Sequence, residues 1–326
     1  MNSLKSNIQK LKSPGILALL LIFPFVAAPY PRSLMIEVLI FAIFAMSMDL
    51  LMGYTGLVSF GQAAFFGLGG YVAAYSGIHF SANLLLTLPL LVIVLSLTAF
   101  VIGFFALRTS GIYFLMLTLA FAQMLFSLAI KWSDVTGGSD GLPVERPYLG
   151  IGELTIRFGA DANFYYLALV LFVSTWWFLT RLVNSPFGHT LKGIHENEAR
   201  MRALGYHTWR FKISAFVIAG LLAGMAGMLL ASFNRHANPE TLYWTVSGQA
   251  IVMVLIGGAG SLIGPILGAA LVHLLPSYAS SYTERWQSIL GLVFIAFVLF
   301  APRGIYGLLH RPTAVRTANR RAMSDE

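Results

Sequence analysis

Across 326 residues that are 57% hydrophobic and only 10% charged, the side chains able to do chemistry are few and unevenly placed. Glu37 and Asp49 stand inside one apolar run, and a carboxyl group held at membrane depth marks a proton or ion relay. Both lie within a few residues of an end of their predicted span, where a carboxylate reaches water cheaply, and that weakens the relay. Ser59, Gln62, Gln123 and Gln249 are uncharged polar groups at membrane depth. A glutamine amide in hydrocarbon is costly unless something bonds it. Each of the four either bonds a neighbouring helix or lines a route for a polar solute, with Phe65, Phe66, Tyr113 and Phe114 as apolar walls or as plain packing.

The sequence also excludes chemistry. It has no cysteine, which removes disulfides, thiolate nucleophiles and cysteine-ligated metals. Its seven histidines show no HExxH or other ligand spacing. No nucleophile elbow or convergent acid/base set occurs, so no catalytic residue and no metal ligand is assigned, and the chain is not read as an enzyme. No GxxxxGK[ST] loop is present, so the chain does not bind ATP in the P-loop manner. Energy for uphill movement comes from a partner or a gradient.

These groups need elements to position them. Apolar runs of about 18 residues or more recur and predict spans at 14–30, 34–52, 57–76, 84–107, 112–131, 164–183, 213–233 and 286–302. This is an all-α polytopic membrane protein, its membrane domain covering 14–302 between a tail at 1–13 and a basic tail at 303–326. Lys5, Lys10 and Lys12 ahead of a run ending in VAAPYP also admit a cleaved signal peptide. The formal charge of +8 lies in the short segments between spans, where it sets topology rather than nucleic-acid binding.

With the amino terminus inside, Arg181, Lys192, Arg200, Arg202, Arg210 and Lys212 put the 184–212 loop in the cytoplasm. Asp134, Asp140, Glu145, Glu153 and Asp161 against Arg146 and Arg157 put the 132–163 loop outside, as the positive-inside rule requires. The carboxyl tail, with Arg303, Arg311, Arg316, Arg320 and Arg321, also belongs inside. The apolar stretch 248–277 must therefore cross twice or dip in and return. It is too short for two spans of about 20 residues each, and Gly257, Gly258, Gly260, Gly264 and Pro265 break it into two short helices. Irregular backbone at that depth is tolerated only under cover of protein or beside an aqueous cavity.

Gly61-Gln62-Ala63 in the glycine-rich stretch 52–76, which also contains Gly67, recurs as Gly248-Gln249-Ala250. In many transport folds interrupted helices from two repeats meet near the midplane. Close packing of helices on small residues accounts for the glycines as well, but not for the glutamines. In the cytoplasmic loop, the run Leu191–Leu204 after Pro186 and Gly188 reads as a short amphipathic helix. Ile194, Met201 and Leu204 form its apolar stripe, Glu196, Asn197, Glu198, Arg200 and Arg202 surround it, and Gly205 stops it. It lies either on anionic lipid or in a protein groove, and its two acidic residues disfavour the lipid. The turn-rich outer loop is a docking surface, a gate or a solvated connector.

Three ordered segments, GYTGLVSFGQAAFFGLGGY, HENEARMRALGYHTWRFKISAFVIAGLLAGMAG and IGGAGSLIGPILGA, resemble the LivM-type permease subunits of ABC importers for branched-chain amino acids. The resemblance covers roughly residues 35–304. It implies an ABC importer permease fold in a bacterial inner membrane, with both termini cytoplasmic, and a coupling segment that docks into the ATPase. Glu196, Asn197, Glu198, Ala199 and Gly205 match the core of that segment, while His195 stands where arginine is common. Gln62 stands where histidine is frequent and Asp49 where asparagine is frequent. The implied partners are a LivH-type second permease, two cytoplasmic ATPase subunits that bind ATP and Mg, and a periplasmic binding protein; the chain itself binds no cofactor. Within the same family urea, short amides and aromatic acids are alternative substrates. An ion-coupled secondary transporter is the alternative from another class.

Overall fold

The computed structural model describes residues 20–25, 27–151, 154–280 and 304–309, with isolated positions between 288 and 295. The expected span at 14–30 is described only from residue 20, and the one at 286–302 falls largely outside these residues, as does most of both tails. Among the described residues five helices are long and apolar enough to cross a membrane. They are α1 (Pro29–Thr55), α3 (Leu84–Ala106), α4 (Ile112–Lys131), α5 (Asp161–Val183) and α7 (Thr208–Asn234). Between and after them come α2 (Gln62–His79), α6 (Pro186–Ala203), α8 (Trp244–Gly257), α9 (Ile263–Ala279) and α10 (Gly304–Leu309).

Helix α1 is the axis of the bundle. Pro29 opens it, where a missing N–H costs nothing, and Gly56 closes it in the left-handed region at φ 75° with its N–H on the Leu51 carbonyl. Its most apolar window is 83% buried, against 28% for α3 and 22% for α4. A helix apolar on all sides belongs inside a bundle or against lipid; α1 takes the first place, packed by α5, α7, α8 and α9, and α3 and α4 take the second. Glycines on α2 and α7 let those two helices touch backbone to backbone, since a Cβ at Gly69 would fall on the Gly224 carbonyl.

The stretch 52–76 is not one helix. Helix α1 continues to Thr55, residues 56–61 are non-helical, and α2 starts at Gln62. The 248–277 stretch is two short helices, α8 and α9, joined by a turn at 258–262, as the glycines and Pro265 require. At the opposite end of the bundle the 132–160 loop contains strands the sequence gives little sign of. Strand β1 (Leu142–Pro143) pairs antiparallel with β4 (His236–Ala237), just ahead of the α8–α9 hairpin, and β2 (Tyr148–Ile151) with β3 (Leu154–Arg157). Arg146 anchors this loop on Asp161 at 2.7 Å.

Candidate functional site

The two Gly-Gln-Ala segments meet. Ser247 accepts a hydrogen bond from the Ala63 backbone N–H and donates one to the Phe60 carbonyl, both at 2.7 Å, which joins the amino ends of α2 and α8. The non-helical backbone at 56–61 needs such partners, because no water serves it at membrane depth. Phe60 N–H goes to Thr118 Oγ1 at 3.2 Å and Gly61 N–H to Ser59 Oγ at 3.1 Å. Gly61 has no room to spare against Thr118, and a Cβ on Gly67 would collide with Leu242. Gln62 is fully buried at this junction, and neither amide atom has a hydrogen-bond partner among the described residues.

Two cavities flank α8. One of about 610 Å³ is lined by Phe41, Phe66, Gln123, Glu240, Tyr243 and Gln249 among others. The second, about 360 Å³, shares Gln249 and adds Glu37, Val252, Val272, His273, Pro276 and Ser277. The Phe41 ring of the first stacks on the His273 ring of the second at 4.0 Å between centroids. Of the residues expected along a route, Gln123 and Gln249 come together here. Ser59, Gln62 and Phe65 line neither cavity and are fully buried, Phe65 against Phe216 of α7 at 5.6 Å. Tyr113, at the start of α4, is 71% exposed and lines neither. The face of α2 decides this. Phe65 falls on the side that α7 covers, so of the two expected α2 phenylalanine walls only Phe66 lines the larger cavity. Phe41, Glu240 and His273 were not anticipated, because each becomes a lining residue only through a helix distant in sequence.

At the other end of α1, Asp49 is fully buried. Its Oδ1 accepts from Gly260 N–H at 2.6 Å and its Oδ2 from Leu262 N–H at 3.1 Å. These donors belong to the 258–262 turn, where Gly258, Gly260 and Leu262 have φ of 108°, 76° and 54°. The last is unfavourable for a branched side chain, and the carboxyl group holds it in place. Gly53 lies so close that a Cβ there would fall on Asp49 Oδ1 and the Gly260 backbone. The expectation that Asp49 reaches water is thus corrected, because α1 runs on past it and the turn caps it. Gly257 and Gly264 make the same turn possible, each facing the other's backbone with no space for a side chain.

Helix α6 is seated beside this turn. His195 Nδ1 lies 3.1 Å from the Gly53 carbonyl oxygen, and the Lys192 ammonium stands 5.2 Å from the centre of the Tyr54 ring. A small cavity of about 110 Å³ is lined by Lys192, Tyr54, Gly260 and Leu262 among others. The single helix expected over 191–204 is two segments. Asn197 leaves helical geometry at φ −160° and ψ 97°, and its side chain caps the second segment by accepting from Arg200 N–H at 2.9 Å. The apolar stripe is divided accordingly, with Ile194 buried and Leu204 67% exposed. Glu198 faces its own chain, taking hydrogen bonds from Lys212 at 2.5 Å, Arg202 at 2.6 Å and Thr208 at 3.0 Å. Burial works against its charge, but the hydrogen bonds from Lys212 and Arg202 outweigh it and hold the carboxyl below its ordinary 4.5. Glu196, Asn197, Ala199, Arg200 and Gly205 remain exposed.

Five membrane-length helices with interrupted helices packed among them and cavities between them place this chain among the multi-pass membrane proteins. Residues 30–301 match the family described as branched-chain amino acid transport system / permease component, and the chain belongs to that family. It is 26% identical over 317 residues to the high-affinity branched-chain amino acid transport system permease protein LivM of Salmonella typhimurium, covering 91% of this chain and 75% of the relative. The LivM protein of Escherichia coli gives the same figures. The probable LivM permease of Methanocaldococcus jannaschii is 24% identical over 318 residues, covering 85% of this chain and 90% of that protein. No solved structure matches.

Proposed function

We propose that this permease forms part of the pathway by which an ATP-driven importer carries branched-chain or related hydrophobic amino acids across the bacterial inner membrane. A LivH-type second permease completes the pore, two cytoplasmic ATPase subunits hold ATP and Mg, and a periplasmic binding protein delivers the substrate. Both termini and the 184–212 loop are cytoplasmic, in accord with the positive-inside rule. The observation that carries the reading is the seat of α6. Two short helical segments meet at Asn197: the first rests on Gly53 and Tyr54 immediately beside the turn that Asp49 holds, and the second is tied by Glu198 to Thr208 and Lys212 of α7. A partner that moves α6 therefore moves the end of the central helix and the hairpin with it, and Glu196, Ala199 and Arg200 supply the surface that the partner grips.

The deciding experiment reconstitutes the complete transporter in vesicles without an ion gradient. Leucine uptake that needs ATP and the binding protein supports the reading. Uptake that needs a proton or sodium gradient instead would falsify it.

A further inference from the structure

The smaller cavity beside α8 gathers polar side chains whose bonding capacity the described residues leave largely unused. No hydrogen bond or ion pair engages the Glu37 carboxyl group or the Gln249 amide among the described residues, and His273 Nε2 is buried without a partner. Ser277 donates its hydroxyl to the His273 carbonyl at 3.0 Å and keeps its oxygen lone pairs open as acceptors. Val252, Val272 and Pro276 form the apolar side. Of the polar groups His273 Nε2 is the buried one, and a buried polar atom is ordinarily bonded. Glu37 and Ser277 are half-buried and Gln249 is exposed, so all three are open to what enters the cavity, and a carboxyl group at membrane depth without a cation is costly. The lining thus asks for a ligand that brings a positive charge, a hydrogen-bond acceptor and an apolar body together.

We propose that this cavity is a transient station for a zwitterionic aliphatic amino acid. The ammonium meets Glu37 and the Ser277 oxygen, the carboxylate meets the Gln249 amide and His273 Nε2–H, and the side chain lies against Val252, Val272 and Pro276. The volume of about 360 Å³ falls within the usual span for small-molecule sites, about 300–1,000 Å³. Gln249 borders the 610 Å³ cavity as well, so its amide is the point of passage between the two, and the Phe41–His273 stack is the wall between them. The proposal rests on the permease function proposed above and specifies where within it the substrate pauses.

The test uses the assembled permease complex in nanodiscs, without the binding protein, and saturation-transfer NMR with two probes: L-leucine and 4-methylpentanoate, the same skeleton without its amino group. L-leucine should receive saturation from the wild-type complex. Glu37→Gln should lose that signal by about tenfold or more, Glu37→Asp should keep part of it, and 4-methylpentanoate should receive none from any of them. ATP-driven leucine uptake by the complete transporter should fall in step. If the wild type imports leucine and Glu37→Gln matches it in both uptake and NMR signal, the station is wrong while the proposed function stands. Equal signals for the two probes overturn recognition of the ammonium group. A wild-type complex that imports no leucine with ATP overturns the function reading, and the station falls with it. Should Glu37→Gln fail to assemble, Val252→Phe fills the cavity without touching the carboxyl group, and a retained leucine signal in that variant refutes the proposal.

Discussion

Glu37 and Asp49 are carried by the same central helix, yet their surroundings give them opposite tasks. Asp49 is sealed in protein, with both oxygens committed to the backbone of a turn that has no other way to bond its N–H groups. Glu37 borders a cavity, and no side chain or backbone group engages it among the described residues. One carboxyl group substitutes for secondary structure; the other is left available to something that enters and leaves. A carboxyl group in a membrane is therefore not diagnostic of ion coupling by itself, and what it bonds decides its role.

That contrast can be broken most severely at Gly53. Gly53→Leu forces a side chain into the Asp49–Gly260 contact, and overpacking of that kind costs about 3 kcal/mol or more. The expected result is loss of folded permease, read as the monodisperse fraction on size exclusion after solubilisation. Asp49→Ala comes next. It leaves the Gly260 and Leu262 N–H groups unpaired at about 1–3 kcal/mol each, and it should lower the melting temperature clearly, whereas Asp49→Asn keeps one acceptor and about half of the loss. If Asp49→Ala melts like wild type, the turn is held by something else.

Glu198 offers an intermediate case, a carboxylate clasp in reach of water. Glu198→Gln should cost about 1 kcal/mol or less in global stability but loosen the 184–212 loop and weaken co-purification of the ATPase, with permease levels unchanged. Because the folded carboxyl sits below its ordinary 4.5, its contribution is complete above that value and is lost as pH falls through the lower folded value. Proteolysis of the loop should accelerate only under that acidity, and the acceleration should vanish in Glu198→Gln, already loose at neutral pH. Smallest of all is the effect of Glu37→Gln on stability, expected within about 0.5 kcal/mol. A large drop in melting temperature there would place Glu37 in the same category as Asp49.

The sequence carried the medium, the spans between Leu84 and Asn234 and the division of 248–277 into two short helices, because apolar length and helix-breaking glycines are local signals. It could not place residues 56–61, since the glycines there read equally well as close packing. Asp49 was misjudged for a related reason. Its distance from the end of the span is visible, but the turn that covers it is more than two hundred residues away. Gln123 and Gln249 were legible as polar groups with nothing local to bond. Glu37 was legible too, but as a relay candidate, and the cavity it shares with His273 and Ser277 forms only when α9 folds back against α1.

The Asp49 clasp also has a history in time. The helix that bears it is made early and the turn that satisfies it comes 211 residues later in the case of Gly260, a wait of about 10–40 s at roughly 5–20 residues per second of synthesis. Through that interval the nascent protein holds an uncovered carboxyl group near the centre of its own bundle. Chains that stop short of Gly260 never cover it, and they are expected to be cleared quickly by membrane proteases. A truncation at Val254 should be short-lived in pulse-chase labelling, and adding Asp49→Leu to it should lengthen its life.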